Sequence, residues 1–174
     1  MAEYRYGLRD VKIAPWTTTN SYGTAIDFGA AQLFQVAIEV EEAELPGDDV
    51  IVDTHSTAKS VSISVRQGDV SLDVIALMTG EDISSPSGKR SIVFGQSDRP
   101  YFALCGKIMG TGDGGDTHIF VPKCKLKGAL PWKMEYGNYM IPEMTAEGVY
   151  EGATNGFMKI VEHDAAVDIT IPPA

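Results

Sequence analysis

One glycine-rich stretch of the chain matches the spacing of a nucleotide-binding loop. Residues 110–115 read Gly-Thr-Gly-Asp-Gly-Gly, which fits the pattern GxGxxG. In a dinucleotide site these glycines open a helix inside a βαβ unit, so that the helix N-terminus meets the pyrophosphate. Residues 118–122 read His-Ile-Phe-Val-Pro, which is typical of a strand. The context therefore favours a hairpin loop, and we expect no cofactor here.

Two aspartates in and beside this stretch have the chemistry of calcium ligands. Asp113 and Asp116 could supply carboxylate oxygens, which calcium prefers. The stretch lacks the terminal bidentate Glu at the offset that an EF-hand requires. Because two acids in a turn more often form the turn itself, we predict no metal site from them.

Two short motifs, Asp53-Thr-His55 and Asp116-Thr-His118, place an Asp and a His two residues apart. In an extended chain each pair shares one face, and two such pairs could build a metal site. Neither pair has a recognised metal-binding spacing, and His163 stands alone. We therefore expect structural or exposed histidines.

Signals of nucleophilic catalysis are also weak. The chain has no Gly-x-Ser-x-Gly elbow, and its carboxylates are too plentiful to single out an acid–base pair. Cys105 and Cys124 are far apart with no CxxC spacing, so we expect buried free thiols. These observations predict a protein that is not an enzyme.

Two stretches within Leu33–Arg66 alternate apolar and polar residues with a period of two, the mark of a half-buried strand. The first alternates Phe34, Val36, Ile38 and Val40 with Gln35, Ala37, Glu39 and Glu41. The second alternates Val61, Ile63 and Val65 with Ser62, Ser64 and Arg66. Between them we predict a long loop or protruding hairpin over 45–59, with its tip at Pro46-Gly47-Asp48-Asp49.

The remaining pattern predicts one helix and several short strands. Apolar spacing favours a helix over Asp69–Thr79, capped by Asp69 or Ser71 and ended by Gly80. A first strand over Arg9–Ala14 should end at Pro15, with a loop over Trp16–Gly23. Further strands are predicted over Ser91–Gly95, Tyr101–Met109, His118–Leu126, Tyr136–Thr145, Phe157–His163 and Ile169–Ile171. Together they predict a single mainly β domain over 1–174, an antiparallel β-sandwich or barrel with one helix packed on it.

Charge is unevenly distributed along the chain, whose formal net charge is -10. No Lys or Arg occurs from Ile13 to Ala58, where eight acids lie, whereas Pro122–Lys133 holds four lysines and no acid. Such clusters are either solvated faces or complementary surfaces that steer copies together. A net acidic chain is a poor candidate for tight nucleic-acid binding. No apolar run approaches a membrane span, and the N-terminus has no apolar signal core, so we expect neither membrane binding nor export.

The order of these segments resembles the major tail tube proteins of bacteriophages with long flexible tails, over nearly the full length. The segments that carry the resemblance are the first strand at Tyr6–Ala14, the turn at Tyr22–Thr24, the long strand and acidic loop at Phe34–Asp49, the helix at Leu72–Gly80 and the late strand at Ile119–Leu126. The resemblance implies a β-sandwich or barrel subunit, six of which form a ring around a pore. Stacked rings would form a tube through which genomic DNA passes. The same fold class serves contractile-tail inner tubes and type VI secretion.

The resemblance also implies partners and a location. The partners would be other copies of the chain, the tape measure protein, the tail terminator and the distal tail proteins, with transient passage of duplex DNA. The protein would occur in the virion, and in the host cytoplasm during assembly.

Charge and alternation suggest where the surfaces of such a subunit lie. The predicted lumen-facing residues are Gln35, Glu39, Glu41, Ser62 and Ser64, since an acidic lumen repels phosphate. The residues predicted to pack under the helix are Phe34, Val36, Ile38, Val61, Ile63 and Val65. The predicted contacts between subunits or rings are Leu45, Asp48, Asp49, Val50, Asp53, Lys123, Lys125 and Lys127.

Several alternatives remain open from the sequence. A tail terminator or adaptor ring, or the inner tube protein of a contractile system, would share the fold. A calcium-dependent carbohydrate-binding β-sandwich would use Asp113 and Asp116, and a small metallohydrolase would use His55 and His118.

Overall fold

Most of the chain forms one curled antiparallel sheet. The structure, a computed structural model, describes residues 5–46, 51–69, 71–110 and 115–173. Its elements are β1 (Arg5–Thr18), β2 (Ser21–Tyr22), β3 (Ile26–Asp27), β4 (Ala31–Pro46), β5 (Ile51–Gln67), α1 (Leu72–Thr79), β6 (Ile83–Ser84), β7 (Ser91–Ile92), β8 (Tyr101–Gly110), β9 (Thr117–Leu126), β10 (Glu143–Gly148) and β11 (Lys159–Glu162). The nine-stranded sheet has the order β2-β1-β8-β9-β10-β5-β4, with β3 on β1 and β11 on β9. The predicted mainly β fold with one helix is confirmed.

The main apolar core lies on the face of the sheet that α1 covers. Val61, Ile63 and Val65 are buried there, in one cluster with Val74 and Met78 of α1. Phe34 and Val36 pack against the same cluster from β4, as the alternation predicts. These burials remove the apolar side of each strand from water and leave the polar side exposed.

Curling of the sheet brings the edge strand β4 back across β8. The Phe34 ring lies over Gly106 so closely that a Cβ added at Gly106 would overlap the ring. Leu8, at the start of β1, lines a hollow with Phe34 at the same place. A glycine is required at 106 because any side chain there would occupy the space of the ring.

A second, smaller cluster lies on the opposite face of the sheet. Ala103, Cys105 and Phe120 are buried there against Ile169, with Tyr22 and Ile171 packed around them. The chain after β11 therefore covers the outer side of β8 and β9. The predicted strand Ile169–Ile171 is wrong, because this segment packs through its side chains and forms no ladder.

The first strand extends beyond its predicted end. β1 continues through Pro15 to Thr18, so the loop predicted over 16–23 is replaced by the end of β1 and by β2. Pro15 has no amide to donate, but its carbonyl accepts a hydrogen bond from the Gly23 amide at 2.8 Å.

The helix is shorter than its pattern predicts. It begins at Leu72 with Ser71 as the N-cap residue, and the Ser71 side chain makes no capping hydrogen bond. Gly80 ends it in the left-handed conformation with a bond of 2.8 Å to Ala76, as the predicted C-cap requires.

Three other strands are shorter than predicted. Ser91–Ile92 and Lys159–Glu162 form ladders within their predicted ranges, whereas β10 begins late in its range, at Glu143, and continues past Thr145 to Gly148. β10 begins directly after Pro142, whose ring removes the amide that a ladder needs. Apolar content alone overestimated these strands, because a strand extends only as far as a neighbour pairs with it.

We predict that Gly106→Ala destabilises the fold by about 1–3 kcal/mol, the usual cost of forcing a methyl group into a packed site. The free energy of unfolding from urea titration measures it. Gly95→Ala is the control, because the nearest atom to its added Cβ lies 3.8 Å away. Phe34→Leu should recover part of the loss in the Gly106→Ala background. Equal stability of Gly106→Ala and wild type would show that the ring does not rest on this glycine.

Candidate functional site

The most prominent surface feature is the β4–β5 arm, which we define as residues 38–46 and 51–60. The two strands remain paired from the core to the Pro46↔Ile51 register, so the segment predicted as a loop or hairpin is a hairpin. From Ile38 to Pro46 an antiparallel strand rises about 27 Å. Within the arm the side chains of residues 38–45 and 53–59 are exposed, and that of Ser60 is half-buried.

One face of the β4–β5 pair is polar from Gln35 to Glu41, interrupted only by Ala37, and continues to Ala43 and Leu45 toward the tip. Gln35 lies opposite Ser64 and Glu39 opposite Ser60, and the alternation of β4 keeps Glu41 on that side. The structure thus places all the predicted lumen-facing residues on one face, opposite the buried core. Lys59 bonds Glu41 at 3.1 Å between exposed side chains, so this ion pair adds little stability.

The other face of the arm is apolar and uncovered near the core. Ile38 and Val40 are 52% and 49% exposed. The prediction that Ile38 packs under the helix is wrong, because the described core ends at Val36 on β4 and Val61 on β5. The period of two correctly identifies the face, but not how far the core extends along it.

A small polar hollow of about 220 Å³ marks the base of the polar face. Glu147 lines it with Glu39 and Ser60, and Lys127 donates to Glu147 at 2.8 Å. This bond lowers the pKa of Glu147, against the smaller opposing effect of burial, and Ser60 adds a second hydrogen bond. Lys127 and Glu147 are thus already paired with each other within the hollow.

The predicted contact lysines all have partners within the chain. Lys123 lies 4.1 Å from the ring centre of Trp16 and 4.5 Å from that of Tyr101. Lys125 lies 5.4 Å from the Tyr101 ring. Cation–π contacts leave the positive charge unneutralised, whereas Lys127 is paired with Glu147. A role for these lysines between copies stays a prediction.

The predicted contact residues of the hairpin are only partly described. Leu45 and Asp53 are exposed and lie opposite each other in the ladder. Asp48, Asp49 and Val50 lie outside the described residues.

A second exposed surface, which the sequence did not predict, lies between β9 and β10. We call residues 128–141 the aromatic segment. Its exposed large apolar side chains are Trp132 (42%), Met134 (84%), Tyr136 (107%), Tyr139 (93%) and Ile141 (38%). Phe94 of another loop contacts Trp132, with ring centres 6.5 Å apart. The sequence feature that could have indicated this surface is a run of aromatic residues without strand or helix periodicity. Such residues seldom stay exposed without a partner.

The chain after β11 is fastened over the sheet by a buried ion pair. We call residues 163–173 the strap. Asp116 pairs with Lys107 at 2.8 Å and accepts a bond of 2.9 Å from the Val167 amide. Lys107 also donates to the Val167 carbonyl at 2.8 Å. Burial raises the pKa of Asp116, but these hydrogen bonds outweigh it and the pKa is lowered.

The contacts of the strap explain the roles of Asp116 and Gly115 without a bound ligand. The Asp116 carboxylate is already bonded, so it is not an open calcium ligand in the structure. A Cβ at Gly115 would overlap the backbone of the strap at His163, which explains the last glycine of the GxGxxG pattern. Asp113 lies outside the described residues.

The histidines are placed in two different environments. His55 is exposed on the arm and contacts the Thr57 hydroxyl at 3.0 Å. His118 is buried, with its ring centre 4.5 Å from that of His163. Neither ring nitrogen of His118 has a hydrogen-bond partner among the described residues. Within the same ranges, no three His, Cys, Asp or Glu side chains are grouped to hold a metal.

A buried carboxylate that sequence analysis missed joins β1, β2 and the loop after β10. Glu151 accepts hydrogen bonds from Trp16 Nε1 at 2.8 Å, from the Tyr22 hydroxyl at 2.8 Å and from Asn155 Nδ2 at 2.6 Å. Burial raises the pKa of Glu151, but these donors outweigh it and the pKa is lowered. No spacing in the sequence relates these four residues, so only the fold reveals the cluster, and its saturated carboxylate has a structural role.

Both cysteines are free and buried, as predicted. Burial raises the pKa of Cys105 to about 12, with Asp10 adding to the effect. Burial also raises the pKa of Cys124, which donates to the Phe102 carbonyl at 3.1 Å. Neither thiol is activated as a nucleophile.

Comparison with known proteins gives no relative from which to infer function: no family model matches the chain, and no curated protein shows significant similarity to it. Among the residues that the structure describes, no helix has the length and hydropathy needed to cross a membrane. The arm, the aromatic segment and the open edge of β4 are therefore the features from which function must be argued.

We predict that the fold loses stability as the pH falls below about 6.5, the ordinary pKa of histidine. Burial lowers the pKa of His118, and His163 and Lys107 add to the effect, whereas the Val167 backbone and Asp116 oppose it. Below this pH the unfolded chain binds a proton at His118 that the folded chain does not bind. The free energy of unfolding then falls by up to about 1.4 kcal/mol for each unit of difference between the two pKa values. Urea unfolding between pH 7.5 and 5.5, a range chosen around that ordinary pKa of about 6.5, measures it.

His118→Leu should flatten this pH dependence, because the variant has no buried imidazole whose pKa differs between the folded and unfolded chain. His55→Gln is the matched control and should keep the wild-type slope, since His55 is exposed. An identical slope in His118→Leu and wild type would contradict the account of the buried pair.

Proposed function

We propose that this chain is a structural virion protein that assembles as stacked hexameric rings into the tail tube of a phage with a long non-contractile tail. The observation that carries the proposal is the arm, whose acidic face continues the polar face of the sheet. A monomeric protein has no evident use for a long hairpin that buries none of its described side chains deeply. A subunit that must contact neighbouring copies has a use for such a hairpin.

The polar face suits the wall of a channel for DNA. Glu39 and Glu41 are exposed on it, and the serines opposite and beside them are uncharged. Negative charge on such a wall repels phosphate, so that DNA slides through without being held. We therefore assign this face to the lumen.

The edge of the sheet supports lateral assembly. Within the described residues β4 pairs only with β5, so its outer edge forms no ladder from Ala31 to Pro46. A long open edge tends to pair with another chain, and closing a ring removes such edges. Six copies placed side to side would bury them.

The tail terminator or adaptor ring and the inner tube of a contractile system are the alternatives within the same fold class. The arm favours a repeating component, because a contact that joins one end of a copy to the next continues along a filament. In the proposed assembly the protein needs no cofactor or catalytic group, and its partners are its own copies, the tape measure protein, the tail terminator and the distal tail proteins. It would reside in the virion, after assembly in the host cytoplasm.

We predict that the purified protein at high concentration forms hollow tubes or stacked six-fold rings, seen by negative-stain electron microscopy with light scattering in parallel. The open edge and the uncovered apolar surfaces provide the driving force. Particles that stay monomeric up to the solubility limit, or a compact dimer with stoichiometric metal, would contradict the proposal.

The lumen assignment has its own test. Glu39→Lys with Glu41→Lys should convert tubes that exclude short duplex DNA into tubes that retain it at low salt, because the wall then attracts phosphate. The control is Glu42→Lys with Glu44→Lys, which changes the net charge by the same amount. Glu42 directly follows Glu41 in the strand and therefore lies on the opposite face. Co-sedimentation of DNA with the tubes measures retention, and equal retention by both variants would refute the assignment.

A further inference from the structure

We propose that the strap is a latch that opens in acid: protonation of the His118–His163 pair lifts the strap from the outer face of the sheet while the rest of the fold stays intact. Opening of the strap is a local event, distinct from unfolding of the whole chain, and it uncovers one defined apolar surface. The latch belongs to the single subunit and does not depend on whether copies assemble.

The strap is held to the sheet mainly through side chains. Within the described ranges it forms no ladder with any strand. Lys107 of β8 donates to the Val167 carbonyl at 2.8 Å, and Asp116 accepts a bond of 2.9 Å from the Val167 amide. The first strap residue, His163, donates its amide to the Asp116 carbonyl at 2.9 Å. A segment with so few backbone bonds to its neighbours can open at a lower free-energy cost than the ladders beneath it.

Beyond Val167 the strap covers the smaller apolar cluster of the fold. Ile169 is buried against Cys105 and Phe120, which are both fully buried. Lys12 of β1 donates to the Ile169 carbonyl at 3.4 Å, a long hydrogen bond. Lifting the strap would therefore expose the Cys105 thiol and the Phe120 ring to water.

Two imidazole rings meet where the strap begins. His118 of β9 is buried, and its ring centre lies 4.5 Å from that of His163. The charged groups that act on the His118 ring from its surroundings are His163, Lys107 and Asp116. The charged side chains of β11 and of the next strap residue are exposed: Lys159, Glu162 and Asp164. The pair is thus surrounded closely by one ammonium group and one carboxylate.

The charges of this cluster balance only while the rings are neutral. Lys107 and Asp116 then neutralise each other at 2.8 Å. Protonation of both rings would gather three positive charges around the one carboxylate. Burial lowers the pKa of His118, and His163 and Lys107 lower it further, against the Val167 backbone and Asp116. The closed strap is therefore fully stable above the ordinary histidine pKa of about 6.5 and loses stability as the pH falls below it.

The strap yields before the sheet because only one ring of the pair belongs to a ladder. His118 lies in β9 between Lys107 of β8 and Val161 of β11, and is paired with both. His163 follows the last ladder residue of β11. Movement of the strap separates the two rings and brings water to both without breaking a ladder. Relief of the repulsion thus requires loss of the strap contacts alone.

The test measures access to the two native cysteines in the dilute full chain. Each thiol is followed by its rate of reaction with a dipyridyl disulfide, at reagent concentrations where rate is proportional to concentration. Mass spectrometry of peptic fragments assigns the reaction to Cys105 or Cys124. The rate in the urea-unfolded chain at the same pH, divided by the rate in the folded chain, gives the protection of each thiol. Cys124 is the internal control, because it is buried in the main core and not beneath the strap.

Local opening makes two expectations about Cys105. Acidification through the ordinary histidine pKa should lower its protection, by up to about tenfold for each unit by which the closed and open pKa values differ. In acid its protection should be well below that of Cys124 and should not change in sub-denaturing urea, because local opening exposes little surface. The protection of Cys124 should fall with urea, since the main core opens only when the chain unfolds.

The histidine variants assign the effect to the pair. His118→Leu and, separately, His163→Gln should keep Cys105 protected in acid, because neither variant can place two charged rings together. The side chain of His163 is only half-buried, so His163→Gln tests the pair even if His118→Leu destabilises the fold. His55→Gln, at an exposed position on the arm, is the matched control and should behave as the wild type does.

A further variant opens the latch without acid. Asp116→Asn should lower the protection of Cys105 already at neutral pH, because Lys107 then loses its charged partner beneath the strap. Equal protection of Cys105 and Cys124 with the same urea dependence would overturn the proposal, since the strap would then open only with the whole fold. Retained protection of Cys105 in acid, or an unchanged pH dependence in both histidine variants, would also overturn it.

Discussion

Pairing between β4 and β5 is the interaction on which the rest of the structure depends. Near the sheet's centre it holds the strands whose apolar sides, such as Ile63 and Val36, build the core with α1. The same ladder then continues past the last buried residue for the whole length of the arm. Backbone hydrogen bonds keep the arm extended where no core supports it, and two isolated strands are only marginally stable in water. The arm is therefore a feature that a second copy would stabilise by covering it.

Within the subunit three carboxylates are paired with the chain's own side chains, whereas several large apolar side chains are uncovered. Asp116, Glu147 and Glu151 each accept hydrogen bonds from side chains of the same chain. They fasten the strap, the base of the polar face and the turn at β2, and none is left open for a ligand. By contrast, the arm and the aromatic segment both expose apolar side chains. Uncovered apolar surfaces of this kind are what the proposed self-assembling subunit requires.

Much of the sheet could be predicted from local sequence, because a period of two reports directly which side of a strand is buried. Phe34, Val36 and the apolar residues of β5 were assigned correctly for that reason. Ile38 was not, since periodicity says nothing about where the core stops. The strap, the Glu151 cluster and the contact of Phe34 with Gly106 depend on residues far apart in the chain, and no local pattern encodes such contacts. The aromatic segment was mistaken in part for a strand because its residues favour one, although no neighbouring strand pairs with it before Glu143.

The central claim is that the polar face of β4 and β5 lines a channel while the arm joins successive rings. Cryo-electron microscopy of the concentrated protein, with helical reconstruction, tests it most directly. The account predicts six subunits per ring, with Gln35 and Glu39 facing the pore and the arm in contact with the next ring. A tube whose pore is lined by another face of the sheet, or an assembly in which the arm points into solvent, would contradict it.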